Sequence, residues 1–488
     1  MTTPTPPSAL AAPPGDATVR DTPRSFDITQ LAASLTSAGV AWSIAAGELD
    51  DHSRDWWPVS IGWAQRGELP ARPSIVASAT STPDVASVLV ACRRAGIPVT
   101  AQAGRSGVCG GAVPASGGVA LDLTALRGIL DIDERSLRVR VAAGTFGPEL
   151  ETSLRTRGFT AGHFPQSFDL STVGGWVACR GAGQYSTRYG KIEDMVRGLT
   201  VVLADGTVVE TGGAGPRSAV GPDLTQLFVG SEGALGVITE VELVIHPLPR
   251  GEGRRAFSFD TFSAGLDACR RILARGATPA VLRLYDIAES TRSFERDRNV
   301  LIVLDEADPG LLEATLAVVD EECETAASED VALVDTWLAH RNDVSALAPL
   351  WARGFVVDTM EIAASWSRLE RVHGDVVEAM AAVDGTILAT VHQSHAYLDG
   401  ACLYFTFVGN PAQDADGYYR AVWDAGSHAA LAAGASLSHH HGVGRHRAGY
   451  MREALGSGFG VLEALKDALD PMGILNPGVL GLATAGPA

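Results

Sequence analysis

"AQAGRSGVCGGAVP", Ala101–Pro114, decides how the fold is read. It follows a stretch that reads as a strand ending near Thr100, and Gly104, Gly107, Gly110 and Gly111 fall within it. Glycines lack a Cβ, so successive backbone N–H groups can converge on one anion, and a diphosphate suits such a loop. A loop that merely turns tightly is the competing reading. Two more stretches shift the balance towards binding: "STVGGWVACRGAGQYSTRYGKIEDMV", Ser171–Val196, and "GSEGALGVITE", Gly230–Glu240. Neither GxGxxG nor GxxxxGK[ST] occurs, so the nicotinamide fingerprint and the P-loop both lose their usual signature.

Around these loops helices and strands alternate irregularly. "STPDVASVLVACRRAGIPV" predicts a helix and then a strand, with Thr82 as cap, Pro83 in the first turn and Gly96 as terminator. Val85, Val88, Leu89 and Cys92 share its apolar face. "SLRVRVAAG" alternates, with Leu137, Val139 and Val141 on one face and Arg138 and Arg140 on the other, as in a half-buried strand. "FGPELETSLRTRGF" reads as a helix, and "LTVVLADGTVVE" as a hairpin turning at Asp205-Gly206. Residues 70–250 therefore form an α+β domain. Residues 251–430 carry acidic helical runs such as "GLLEATLAVVDEECETAASED" between strands such as "NVLIVLDE" and "GACLYFTFVG", and read as a second domain. Residues 431–488 begin near "SLSHHHGVGR" and form a C-terminal segment. Residues 26–69 are an N-terminal segment, preceded at 1–25 by a Pro/Ala/Thr tail expected to be disordered.

The 488 residues include 38 basic and 57 acidic side chains, a net charge of −19. That balance argues against nucleic acid or an anionic membrane as a partner. No apolar run approaches the ~18 residues of a membrane span, and no basic-then-apolar leader is present. The six cysteines are scattered without a CxxC pair, which suits reduced thiols in the cytoplasm.

Several polar residues are ambiguous on their own. Adjacent residues on a strand point to opposite sides, so only His439 and His441 of the triplet would share one. A metal needs a third and usually a fourth ligand, and none stands at regular spacing, so no metal is expected. Imidazoles satisfying buried backbone groups are the structural alternative. His392 and His395 would share a face on a helix and oppose each other on a strand. Tyr404, in "ACLYFTF", reads as a core tyrosine. Arg283 and Arg368 read as solvated or ion-paired.

The order AGRSG…GG…P, STVGG, YGKIEDMV, GSEGALGVITE and DPMGILNPG resembles the vanillyl-alcohol-oxidase and p-cresol-methylhydroxylase type of flavoenzyme over residues 70–480. The resemblance implies a two-subdomain α+β domain binding FAD, an α+β cap over the flavin, and a C-terminal segment that returns to complete the FAD site. By position it assigns Ala103, Gly104, Arg105, Ser106 and Gly107 to the pyrophosphate loop. Pro165, Ser171, Thr172, Gly174 and Gly175 would line the flavin and ribityl chain. Gly183 and Tyr189 would follow along the cofactor, with Glu232, Gly233 and Ile238 near the adenosine end. Some relatives attach FAD through a histidine in the first loop. Here the loop reads Arg105-Ser106-Gly107-Val108-Cys109, so FAD is expected to be non-covalent.

"TAGHFPQSFDLSTVGG", "HAYLDGACLYFTF", "SHHHGVGR", "PAVLRLYD" and "SWSRLERV" are further similar to the alkyldihydroxyacetonephosphate synthases. Those enzymes exchange the acyl group of a lipid phosphate for a fatty alcohol. The resemblance makes Tyr404 the proton-transferring group, with His439, His440 and His441 beside it. A tyrosine titrates near pH ~10 and needs cationic neighbours to act as a base. Arg368 would contact the substrate phosphate, Arg283 would be a further active-site arginine of the cap, and Arg445 would add positive charge, so that all three count as substrate-binding. His395 is expected near the active site and His392 away from it. A redox enzyme of the same fold is the rival: it would oxidise a D-2-hydroxy acid, with His395, His440 or His441 as base and an arginine on the carboxylate. A non-catalytic flavin binder is the third reading, disfavoured by the intact tyrosine, arginine and histidine set. The substrate is a small molecule or lipid phosphate in either enzymatic reading, and a homodimer is the assembly considered.

Overall fold

The computed structural model describes residues 18–20, 24–213, 215–344 and 347–482. Most of the expected N-terminal tail, 1–17 and 21–23, lies outside them. Within that tail, Thr18–Val19 pairs in parallel with Glu68–Leu69.

A four-stranded sheet carries the first glycine loop. Its spatial order is Ala41–Ser43, Ile75–Ser78, Val119–Asp122, Val99–Gln102. The helix Thr82–Ala95 packs on it through Val85, Val88, Leu89 and Cys92, all fully buried. Its cap is Ser81, whose Oγ accepts the Asp84 N–H at 3.3 Å, one residue before the expected Thr82. Gly96 ends it in the left-handed region at φ 62°, where a Cβ is disfavoured.

A second sheet has five strands, ordered Val208–Glu210, Val196–Val202, Val237–Val244, Arg138–Ala142, Ile129–Asp133. Val139 and Val141 face its core, while Arg140 donates to Glu240 at 2.7 Å across the strands. Leu137 departs from the expected alternation because it precedes the strand at φ 55°. The hairpin turns at Asp205-Gly206, with Gly206 at φ 85°.

Residues 251–409 build a seven-stranded sheet, in which each named strand pair is antiparallel. Its central strands include Val281–Tyr285, Thr386–Ala396 and Gly400–Gly409, with Val356–Ser365 at one edge. Helices Phe262–Ala274, Trp366–Ala381 and Ala415–Ala432 contribute to the apolar core built on this sheet. The acidic run around 311–330 is not one helix: it stops at Glu322, and Ala327–Ser328 pairs as an edge strand.

The chain then returns to the first sheet. Val99 N–H donates to Ile474 O and Asn476 N–H to Val99 O, both at 2.8 Å. Lys466 is buried and donates to Asp470, Ala234 O and Leu475 O, fixing this return. The fold is thus α+β, with the seven-stranded sheet set against two smaller ones. Among the described residues no helix is long and apolar enough to cross a membrane.

Candidate active site

The loop 103–111 leaves the strand Val99–Gln102 and is clamped from several sides. A Cβ on Gly104 would stand 2.0 Å from Leu170 O, and one on Gly110 would strike Trp57 at 2.8 Å. A Cβ on Gly107, Gly111 or Gly233 would meet its nearest neighbour at 3.7 Å or farther, so these three leave room for one. Arg105 sits at φ 50°, with its buried Nε lacking a hydrogen-bond partner. Burial lowers its pKa against the pull of Asp122 and Asp51. Both ring nitrogens of His163 are likewise buried and unpartnered, as is Asn476 Oδ1. Buried polar groups left without partners in and around the glycine loops are what a bound polar cofactor would satisfy.

The second loop is held by local hydrogen bonds. Thr172 Oγ1 accepts the Gly175 N–H at 3.4 Å, starting the short helix Val173–Ala178, and Ser171 Oγ accepts Trp176 Nε1 at 2.7 Å. Gly174 lets this turn touch Ala143, and Gly183 lies against the Phe164 N–H, next to Pro165. Three residues assigned to the cofactor also have structural contacts of their own. The Tyr189 hydroxyl donates to Glu306 at 2.6 Å, so it ties the glycine loop to the seven-stranded sheet. The Ile238 side chain is core of the five-stranded sheet. Glu232, at φ 49°, sends its carboxylate under the histidine loop, where it accepts Val443 N–H at 2.6 Å and Gly444 N–H at 2.7 Å. Burial raises it to about 7.

The stretch Ser436–Arg445 is neither strand nor helix. It wraps one carboxylate. Oε1 of Glu361 accepts the backbone N–H groups of His439, His440 and His441 at 3.2, 3.0 and 2.7 Å, and the Ser438 hydroxyl at 2.6 Å. Its Oε2 is paired with Arg447, and both side chains are fully buried. Burial would raise Glu361, but Arg447 overrides this and holds it well below the ordinary carboxylate range. Gly442 and Gly444 have φ 80° and 54°, and a Cβ on Gly444 would lie 2.1 Å from Cys109 O. The histidine loop is thereby pressed onto the first glycine loop.

The imidazoles converge with residues of the sheet. His439 and His440 share a hydrogen between their Nδ1 atoms at 2.9 Å, and His439 Nε2 meets the Tyr397 hydroxyl at 3.0 Å. His395 Nδ1 meets Ser186 Oγ at 2.8 Å. Tyr404 stacks on His392 at 4.9 Å and lies 6.1 Å from His440, ring to ring. His392 is therefore inside the cluster, against the expectation. A β-bulge explains it: the register against Gly400–Gly409 slips between Ser394 and Ala396, with His395 at φ 48°. The bulge turns His395 to the side that His392 already faces.

The charges are distributed unlike the sequence expectation. Arg283 donates to His392 Nε2 at 2.7 Å and to the Tyr285 hydroxyl at 3.1 Å. A guanidinium cannot accept, so the His392 proton sits on Nδ1, towards Glu289 at 3.2 Å. Burial opposes ionisation of Glu289, but hydrogen bonds from His392 and Thr390 and the nearby Arg292 hold it at about 2. Arg368 does not join the cluster: it is exposed on the helix Trp366–Ala381 and donates to Gly434 O at 2.9 Å. Arg445 turns away as well, donating to Val113 O at 3.2 Å and Pro477 O at 2.6 Å, where it fastens the two loops. Burial lowers His395 and His440 well below the usual imidazole value and His439 to about 4. It pushes the Tyr404 phenol up, which favours its neutral, protonated form.

Ring nitrogens of His395, His439 and His440 lie within 4.8 Å of one another, a third ligand that spacing alone did not supply. Both nitrogens of His439 already have partners, so a metal there would displace a hydrogen bond.

The sequence reading also missed the segment "DHSRDWWP". Ser53, Arg54 and Asp55 are buried there, Trp56 N–H donates to Gly107 O at 2.9 Å, and Ala112 N–H reaches Asp55 Oδ2 at 3.4 Å. Two tryptophans beside buried charges were its available signal. Glu361 had one too, as a lone acid in the apolar strand "MEIAA".

Comparison with known proteins agrees with this geometry. Residues 73–212 match the FAD binding domain model, and residues 249–480 match the C-terminal domain of FAD linked oxidases. The chain is 33% identical over 432 residues to the uncharacterized FAD-linked oxidoreductase YgcU of Escherichia coli O157:H7, covering 84% of this chain and 89% of that one. It is 28% identical to alkyldihydroxyacetonephosphate synthase of Dictyostelium discoideum, covering 84% and 74%. Against glycolate oxidase subunit GlcD of Bacillus subtilis the identity is 27%, covering 83% and 88%. A solved alkyldihydroxyacetonephosphate synthase superposes with a TM-score of 0.79 at 23% identity, over 98% of this chain and 89% of that one. The glycine loops, the unsatisfied polar groups in and around them and these matches lead to one conclusion: the chain belongs to the FAD-linked oxidoreductase family, with FAD as its cofactor.

Proposed function

We propose that this enzyme oxidises the hydroxyl of a 2-hydroxy acid, with FAD bound non-covalently. One observation carries the reading. Of the three arginines expected to bind substrate, Arg283 hydrogen-bonds into the histidine cluster, while Arg368 and Arg445 donate to backbone carbonyls. A single guanidinium beside neutral imidazoles suits a carboxylate next to an alcohol, the one to hold the acid and the others to take the hydroxyl proton.

Bound FAD supplies the two-electron acceptor. The Arg283 guanidinium holds the substrate carboxylate from its side opposite His392. His440 Nε2 has no hydrogen-bond partner among the described residues and receives the hydroxyl proton as the carbon–hydrogen bond breaks with its electron pair. His439 and Tyr397, joined to His440 through the 2.9 and 3.0 Å contacts, orient that ring. Tyr404 donates a hydrogen bond towards the oxygen that becomes the carbonyl. No metal takes part in these steps.

The test is anaerobic. Denaturing the purified protein should release all of its flavin. Glycolate or D-lactate should bleach the flavin of the holoenzyme, before and after dialysis against a chelator. Acyl-for-alcohol exchange on acyl-dihydroxyacetone phosphate without bleaching would overturn the proposal in favour of the synthase reading, which the stacking of Tyr404 among histidines supports.

The pH dependence follows from the base. A depressed imidazole pKa keeps the neutral, proton-accepting form present at lower pH. The acid limb of the bleaching rate should therefore fall below the ordinary histidine value of ~6.5. A limb at or above that value, measured by stopped-flow, would exclude a buried imidazole as the base.

A further inference from the structure

An open pocket of about 500 Å³ is lined in part by Arg155, Phe164, Tyr185, Arg250, Glu306 and Arg341. Two of its lining residues are chain neighbours of candidate-site residues. Tyr185 precedes Ser186, whose hydroxyl meets His395, and Phe164 precedes Pro165. Its arginines are not equivalent. Arg155 pairs with Glu151 and Arg250 with Asp308. Arg341 has no carboxylate in ion-pair distance among the described residues. Its Nη1 donates to Gln184 at 3.3 Å, and its guanidinium carbon lies 5.0 Å from the Tyr185 ring, 5.8 Å from Phe164 and 5.6 Å from Trp337.

Trp337 is shared. Arg283 lies 5.5 Å from the same indole and hydrogen-bonds His392. One buried tryptophan thus carries two guanidinium groups, one at the histidine cluster and one in the pocket. Aromatic faces hold such a cation without consuming its N–H donors, which stay available for an anion.

We propose that this pocket is an outer substrate subsite, in which Arg341 binds a second anionic group, carboxylate or phosphate, on the far end of the substrate. The inference rests on the 2-hydroxy-acid reading for what happens at the inner end. It makes the preferred substrate a dianion, anchored by Arg283 and Arg341, with the oxidised carbon at the histidines.

The holoenzyme is titrated with D-lactate, D-2-hydroxyglutarate and 3-phospho-D-glycerate, which differ in the second anion. Binding is read from perturbation of the flavin spectrum, and turnover from anaerobic bleaching. At least one of the two dianions should bind about tenfold tighter than D-lactate or more, and which one does identifies the outer group. Arg341→Gln should remove that advantage while leaving D-lactate binding within about twofold. Arg341→Lys, checked for full flavin content, should restore part of it. Equal weakening of all three ligands, or dianions binding no better than D-lactate in the wild type, overturns the subsite. An Arg341-dependent dianion preference without bleaching keeps the subsite and refutes the oxidation. Bleaching that is indifferent to Arg341 does the reverse.

Discussion

Glu361→Ala is expected to lower stability by about 3–5 kcal/mol, because it leaves the Arg447 guanidinium buried without its counter-charge. Urea denaturation of the purified variant measures this. The same substitution removes the acceptor of three consecutive backbone N–H groups and of the Ser438 hydroxyl. Flavin reduction should fall by about 100-fold or more, since a shift near 1 Å in a reacting group is enough for that. Stability and positioning can be separated. In Glu361→Leu/Arg447→Met the buried charges disappear together, and most of the lost stability should return. Activity should not return, because the histidine loop still lacks its anchor. A double variant with wild-type turnover would reduce Glu361 to a structural partner of Arg447.

Gly107→Ala should leave the apoprotein's unfolding midpoint nearly unchanged and weaken FAD binding by about tenfold or more. A Cβ there has Asp55 Oδ2 as its nearest neighbour, at 3.8 Å, so the protein itself has room for it. The room is the space assigned to the cofactor diphosphate. Gly104→Ala is the contrasting case. Its Cβ would stand 2.0 Å from Leu170 O, a backbone atom that cannot yield without moving the second loop. That variant should lose stability as well as flavin. Flavin titration of both apoproteins, with thermal melts alongside, reads the difference. Undiminished FAD affinity in Gly107→Ala would place the diphosphate elsewhere.

Local rules carried much of the fold. The helix at 82–95, the alternation around Val139 and Val141, and the turn at Asp205-Gly206 depend on side-chain periodicity and backbone permissiveness within a few residues. Each was legible, apart from a one-residue shift of a cap. The glycine loops were legible for the same reason, since the need for a missing Cβ is written at the position itself. Charged side chains were less readable. Arg368 and Arg283 both looked like isolated arginines, yet the first lies on an exposed helix face and the second reaches His392. Arg445 stands beside the histidine triplet in sequence but spends its donors on Val113 O and Pro477 O.

The amino-acid sequence by itself determined an α+β pattern with glycine loops suited to a diphosphate, because glycine spacing and hydrophobic period are properties of neighbouring residues, and the resemblance of its motifs to flavoenzymes implied FAD. Only the tertiary structure decided which side chains gather in the candidate site. A bulge at His395 brings it to the side of His392, Glu361 crosses from the seven-stranded sheet to hold the histidine loop, and Trp337 joins Arg283 to Arg341. Each of these contacts links segments far apart in the chain and is set by strand register and packing, which no local pattern encodes.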